Sequence, residues 1–584
     1  MPHRPSRRRG TPVVLVASTH GCALLTPPKV GGRHAPSGWD EPPPAAGTAR
    51  LVTPSDDDLR RSCADLLGVP EPTAEQLEAV RTLLDDEDLL LVAPTGTGKS
   101  LVFQLAAIAM DRLCVVVSPL VSLAGDQVLA LDETAGSGLA VRWTSAETAA
   151  DLDAAEEAVR AGRLRLLYTS PEQLEHGRLH DLLAEHPPTL LAVDEAHCVS
   201  TWGTDFRPAY ASLGARREQW GRPTTVALTA TASSAVRDDV RRVLDLSGEE
   251  LVLGFARDHV TLRVRRAHDA ADQRAVVLDR VEELARDGLG LVYARTRREV
   301  EELSAALAER GLEAPGYHAG MGRAERERVH RAFHEVAVDV VVATSAFGMG
   351  VDQPETRFVL HAQAPESLDV YYQESGRAGR DGEPATAELV FRDEDLSLGH
   401  FFAGGRPRTA SVRRVVEAWR ADPDADARDL ASTTGLGRRT AGRVLALLGA
   451  AAADPSSATG DLVDLVRSRA DAERTLRRTQ VERVREFADT RHCRDVALRR
   501  HFGDLVEDPC GRCDTCCSDE GAEPWDAVES SHGLRAESAV THRTFGRGTV
   551  TDLTRRTVTV LFDDVGYRTL DADLVHEQDL LEPA

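Results

Sequence analysis

The run APTGTGKS, residues 93–100, directly follows the apolar stretch LLLV (89–92) and opens a helical segment. Glycines at 96 and 98 let successive backbone N–H groups close around phosphate oxygens, and the helix start adds a field that favours anions. Strand, glycine-rich loop and helix in this order call for an α/β unit with its ligand at the carboxyl end of a parallel strand. Thr95, Gly96, Thr97, Gly98, Lys99 and Ser100 form the candidate triphosphate cradle. Lys99 would reach the β/γ-phosphates and the Ser100 hydroxyl would hold Mg²⁺. Composition strengthens the case for Lys99: of 70 basic residues only Lys29 and Lys99 are lysines, the rest being arginine. A merely structural glycine-rich turn would not need the lysine that the chain has otherwise almost abandoned.

At 584 residues the chain is too long for one core and calls for several structural units. From about 53 to 255, short Leu/Val-rich runs alternate with helical stretches: LLLVA (89–93), LCVVVS (113–118), LRLLYTS (164–170), LLAV (190–193) and TTVALT (224–229). They read as buried parallel strands. The pattern restarts near 257 with LGLVYA (289–294), VDVVVAT (338–344), RFVLHA (357–362) and TAELVF (386–391), so the fold class is α/β with two tandem parallel sheets. The expected division is 1–52, a disordered extension; 53–256 and 257–395, the two sheet domains; 396–480, a helical connector; 481–520, a metal module; and 521–584, a linker and small β-barrel. Within the connector, DARDLASTTGLGRRTAGRVLALLGAA (426–451) has two helical patterns split by a Gly-containing turn, as in a helix-turn-helix, with Arg438, Arg439 and Arg443 on its second helix. An ordinary helical connector fits equally well. The tail from about 536 alternates apolar and polar residues between Gly-rich turns, the mark of short antiparallel strands.

The N-terminal apolar run is broken by Ser18, Thr19 and His20, and no run of about 18 apolar residues occurs, so neither export nor a membrane span is expected. The expected location is the cytoplasm, where ATP is available. A net charge of −24 excludes broad electrostatic coating of nucleic acid and restricts any such contact to local basic patches.

A second acidic element, LLAVDEAHC (190–198), ends another apolar strand. Asp194 is placed to bind magnesium and Glu195, one residue on, to polarise the attacking water. A buried Asp-Glu pair without a partner would be costly, which favours a metal or nucleotide role. In YYQESGRAGRDG (371–382), Arg377 and Arg380 stand three residues apart and read as one helical face. From there both guanidinium groups could cross a cleft to a leaving phosphate. Of nine cysteines, five crowd between 493 and 517. Cys510, Cys513 and Cys516, with Cys493 one helix upstream, have the spacing of a closed tetrahedral Zn²⁺ site; Cys517 is a spare.

DEAHCVSTWGTDFRPAY (194–210) resembles the DEAH box and aromatic-rich loop of RecQ-family DNA helicases. VSPLVSLAGDQV (117–128), LLYTSPEQL (166–174), ALTATAS (227–233), YHAGM (317–321) and ATSAFGMGVDQP (343–354) match that family's other motifs in order. The resemblance covers roughly residues 60–395. It implies two RecA-like domains, ATP and Mg²⁺ dependence, 3′-to-5′ unwinding of DNA, and a structural zinc module. It also implies that Trp202, Phe206 and Arg207 form a loop sensing single-stranded DNA, and that Gln76 reads adenine. Two departures stand out. EPTAEQ lacks the aromatic and arginine that normally precede that glutamine, and Thr201 and Thr204 replace the usual Gln and His. The family's winged helix is missing from its usual place after the zinc module. The tail resembles the small SH3/Tudor-like barrel of some UvrD-type helicases, and its acidic excess favours a protein partner over DNA. Two other readings remain open here: an RNA helicase of DEAD/DEAH type, and a DNA-stimulated ATPase or annealing factor with weak unwinding.

Overall fold

The computed structural model describes residues 54–583 apart from short stretches, of which 201–207, 349–352, 397–406 and 525–537 are the longest. The segment expected to be a disordered extension, 1–52, lies outside the described residues.

The first sheet contains β1 (Leu89–Val92), β2 (Cys114–Val117), β3 (Ala140–Trp143), β4 (Leu166–Thr169), β5 (Leu190–Val193), β6 (Thr224–Thr229) and β7 (Glu249–Val252). Its order is β3-β4-β2-β5-β6-β1-β7, and every pairing is parallel. Side chains alternate between two covered faces. Leu90, Val92, Val115 and Val117 enter one core, whereas Leu89, Leu91, Cys114 and Val116 enter another. Burial on both faces is why these strands read as continuous apolar runs.

The second sheet repeats the plan with β8 (Val260–Arg266), β9 (Leu289–Tyr293), β10 (Gly316–Tyr317), β11 (Val340–Ala343), β12 (Thr356–His361) and β13 (Ala385–Phe391). Its order is β10-β11-β9-β12-β13-β8, again wholly parallel. Two tandem parallel-sheet domains therefore stand as expected. Two helices matter for the site: α1 (Lys99–Met110), which follows β1, and α2 (Leu368–Ser375), which follows β12.

Beyond the second sheet, α3 (Thr409–Ala421), α4 (Ala427–Thr434), α5 (Arg438–Ala450) and the 31-residue α6 (Thr459–Asp489) enclose a separate core around Val412, Leu430, Val444 and Leu462. Gly435, at φ +64°, turns the chain between α4 and α5, and Arg438 and Arg439 are exposed at the start of α5. α7 (Arg494–His501) leads into the cysteine-rich loop. That loop packs on the second sheet: Asp514 N–H donates to Leu262 O (3.2 Å), and the Asp514 carboxylate accepts from Val264 N–H (2.9 Å).

The tail contains β14 (Ala539–His542), β15 (Gly546–Leu553), β16 (Thr557–Phe562), β17 (Gly566–Asp571) and β18 (Leu581–Pro583), all paired antiparallel in the order β17-β16-β15-β14-β18. It is a five-stranded sheet over a small core of Val540, Val550, Val558, Val560 and Phe562. Among the described residues, the barrel closure expected from the sequence is not among these pairings, which leave β17 and β18 at the two ends. No described helix is long and apolar enough to cross a membrane.

Candidate functional site

β1 stops at Val92 and α1 starts at Lys99, so the described loop residues 93–94 and 96–98 hang at the carboxyl end of the first sheet. Gly96 and Gly98 hold φ of +88° and +70°, a region that a side chain would strain. A methyl group on Gly98 would also fall 2.8 Å from Gln76 Nε2. Gln76 is tied to the loop through Nε2, which donates to Thr97 O at 2.8 Å, while its Oε1 accepts from Thr73 N–H at 2.8 Å. Lys99 Nζ donates to Ala93 O (2.9 Å) and Pro94 O (3.0 Å). Burial lowers the Lys99 amine below its ordinary range, against the pull of Glu195 and Asp194. A phosphate is a stronger acceptor than either carbonyl, so these bonds can be exchanged for a ligand. The Ser100 hydroxyl accepts from Gln127 Nε2 at 2.9 Å.

Asp194 leaves the end of β5. Its Oδ1 accepts from Glu195 N–H (3.0 Å) and its Oδ2 from the Ser118 hydroxyl (3.3 Å). Burial pushes the Asp194 carboxyl up to about 6; the Glu195 charge adds to the rise and Lys99 opposes it. Glu195 has φ +49°, a left-handed conformation that costs a non-glycine residue about 1 kcal/mol or more. That turn brings its Oε2 within 3.3 Å of His197 Nδ1. His197 is buried, and the same nitrogen lies 3.0 Å from Thr229 Oγ1 at the end of β6. The DEAH segment and ALTATAS segment therefore meet through His197 and Thr229.

The second domain supplies Arg377 and Arg380, but not on the one helical face that their spacing predicts. α2 ends at Ser375, so the two arginines do not share a helical face. Gly376 caps the helix, and Gly379 (φ +67°) and Gly382 (φ +83°) turn the chain afterwards. The Arg380 side chain crosses to the first domain, its Cγ 3.8 Å from where a Cβ on Gly96 would stand. Its charge contributes to the lowering of the Lys99 amine. Arg377 is 5% exposed and instead lines a cavity of about 150 Å³ with Tyr293, Arg295, His361, Gln363 and Glu374.

The sulfur atoms of Cys493, Cys510, Cys513 and Cys516 all lie within 4.8 Å of one another. Cys493 and Cys513 Sγ are 3.9 Å apart, close to the roughly 3.8 Å that tetrahedral Zn–S bonds of about 2.3 Å require. Hydrogen bonds from Cys493 and Cys510 hold the Cys513 thiol far below its ordinary range, favouring the thiolate that a metal takes. The donor set fits zinc and leaves no open coordination position. Cys517 is exposed, with its sulfur 3.6 Å from Gly511 O, and stands apart from the four.

Thr95 and the loop residues Thr201, Trp202, Thr204, Phe206 and Arg207 lie outside the described residues. Ser118, Gln127 and Thr229 are site residues that the sequence reading passed over, although each falls inside a quoted motif. Arg257 lies in no such motif; it is half-buried in the segment between the two sheets, and its charge also bears on Lys99.

Three known families match in order along the chain: DEAD/DEAH box helicase over residues 73–239, helicase conserved C-terminal domain over 273–382, and RecQ zinc-binding over 459–517. The probable ATP-dependent DNA helicase RecS of Bacillus subtilis is 32% identical over 508 residues, covering 85% of this chain and 99% of the relative. The ATP-dependent DNA helicase RecQ of Haemophilus influenzae is 32% identical over 444 residues, which are 76% of this chain and 60% of that relative. This chain thus spans about three-fifths of the length of that protein. Among solved structures, the DUF1998 helicase MrfA bound to DNA aligns with a TM-score of 0.50 at 18% identity, covering 59% of this chain and 53% of that one, a likeness of fold.

Proposed function

The chain belongs to the RecQ family of helicases, and on that premise we propose that it couples ATP hydrolysis to 3′-to-5′ movement along single-stranded DNA. Duplexes ahead of it would be unwound during recombination or repair in the cytoplasm. One observation carries the proposal: Arg380 of the second domain reaches the Gly96 loop of the first. A catalytic site divided between two lobes is completed or broken as they move, which is how hydrolysis can drive a step.

In this reading the loop Thr95–Ser100 holds the triphosphate and Lys99 binds its β/γ oxygens, while Gln76 bridges loop and adenine. Mg²⁺, held by Ser100 and Asp194, would supply neutralisation of phosphate charge. Glu195 accepts the proton of the attacking water. Arg380 meets the charge on the leaving phosphate, and Arg377 supports it from the adjoining cavity. Trp202 and Phe206 stack on bases at about 1–3 kcal/mol each, with Arg207 on the backbone. Zn²⁺ on the four cysteines is structural.

The domain limits are those proposed from the sequence, 53–256, 257–395, 396–480, 481–520 and 521–584. The exposed Arg438 and Arg439, with Arg443, suit contact with duplex DNA in place of the winged helix. The tail is read as an SH3/Tudor-like barrel for a protein partner, since its acidic excess would repel DNA.

A strand-displacement assay on a 3′-tailed duplex tests the proposal. Unwinding should require ATP and the 3′ tail. ATP hydrolysis stimulated by DNA but without displacement would favour the annealing or remodelling reading, and stimulation by RNA alone would overturn the DNA substrate.

A further inference from the structure

We propose that Arg257 is a positioning residue for the nucleotide site: wedged against the turn that follows α2, it sets the path by which Arg380 reaches the phosphate loop. The inference rests on the ATPase reading above.

Arg257 lies between β7, which ends at Val252, and β8, which starts at Val260, where the chain passes from one sheet to the other. Its Nη1 donates to Tyr372 O at 2.8 Å and lies 3.4 Å from Ser375 Oγ. The guanidinium carbon sits 3.6 Å from the centre of the Tyr372 ring, within cation–π range. Tyr372 returns the contact, its hydroxyl donating to Phe255 O at 3.3 Å. The interdomain segment and the end of α2 are thus laced together from both sides.

The approach to Gly376 is closer still. A Cβ there would fall 2.4 Å from Arg257 Nη2, so the guanidinium fills the space that any other residue's side chain would need. On the same residue, Gly376 O lies 3.5 Å from Arg380 Nε. Arg257 and Arg380 therefore bear on one residue, and a shift of the first displaces the second.

Arg257 Nη2 is also sealed from solvent and has no hydrogen-bond partner among the described residues. Although Arg257 is only half-buried and feels the Asp495 carboxylate, a sealed N–H without an acceptor is costly and is relieved when an anion comes near. The triphosphate is the anion that the adjoining loop is built to receive, and the Arg257 charge already bears on Lys99. The backbone below is pinned as well: Arg512, between Cys510 and Cys513, donates to Arg257 O (3.1 Å) and Val260 O (3.3 Å).

The test compares the full-length chain with Arg257→Met and Arg257→Lys, measuring binding of ADP, binding of ADP with aluminium fluoride, and DNA-stimulated phosphate release. Arg257→Met should bind ADP within about threefold of the unsubstituted chain, yet lose about tenfold or more both in kcat and in affinity for the aluminium fluoride complex. Arg257→Lys keeps the charge without the planar fork and should recover only part of the loss. A kcat within twofold of the unsubstituted chain in Arg257→Met overturns the proposal. So does equal weakening of both ligands, or loss of cooperative unfolding in both variants, since each marks a structural staple alone. If the unsubstituted chain itself releases no phosphate with DNA present, the ATPase reading fails, and the positioning role falls with it.

Discussion

Burial disfavours the charged forms of both Lys99 and Asp194, and their substitutions should be read by different measurements. Lys99→Ala removes the cation proposed to meet the phosphates and should lower ATP hydrolysis by on the order of 10²-fold or more, read as phosphate release, while the chain stays folded. Near-normal turnover would sink the site assignment. For Asp194 the carboxyl titrates at about 6, above its ordinary 3.8, so the native state takes up a proton more readily than the unfolded chain. Its contribution to stability is full below about pH 4 and is lost as pH rises through 6. Asp194→Asn should therefore stabilise the nucleotide-free protein by about 1–3 kcal/mol at pH 7 and by little at pH 4, measured by thermal denaturation. An equal effect at both pH values would refute the assignment. Lys99 and Asp194 stood out in the sequence because a glycine-rich loop and a strand end expose them. Ser118 and Thr229 were not, because a hydroxyl becomes informative only once the fold sets it beside a carboxylate or an imidazole.

At the scale of elements, the nine apolar runs correspond to β1, β2, β4, β5, β6, β9, β11, β12 and β13, while β3, β7, β8 and β10 passed unread. Those four are the outermost strands of the two sheets. Interior strands are covered on both faces and must be apolar throughout, whereas outer ones keep polar side chains, as EELV in β7 and VTLRVRR in β8 show. The arginine pair failed for a related reason: three-residue spacing implies one face only if the helix continues, and glycines at 376, 379 and 382 stop it. The cysteine cluster, by contrast, was legible from spacing alone. Replacing one ligand, Cys513→Ser, should bring zinc content, measured by atomic emission, clearly below one per chain and reduce solubility. Unchanged stoichiometry would remove the site.

Across the whole molecule the cysteine module acts as a wedge rather than an appendage. Phe502, fully buried, stacks on Phe255 (4.9 Å between ring centres) and packs on Tyr372 (4.8 Å), while its carbonyl accepts from Arg237 of the first domain (3.3 Å). First domain, interdomain segment, α2 and zinc module thereby share one continuous core. Truncating so central a ring, Phe502→Ala, should cost about 3–5 kcal/mol and split a single thermal transition into two as the module undocks. One unshifted transition would contradict the shared core. The Asp514 loop has a further consequence. By bonding to Leu262 and Val264 it occupies backbone groups along the open side of β8, groups that would otherwise be a template for another chain. Stripping the metal should therefore free a surface for strand addition between molecules, seen as light scattering that grows with protein concentration, so that the cysteines guard the protein against self-association as well as holding its shape.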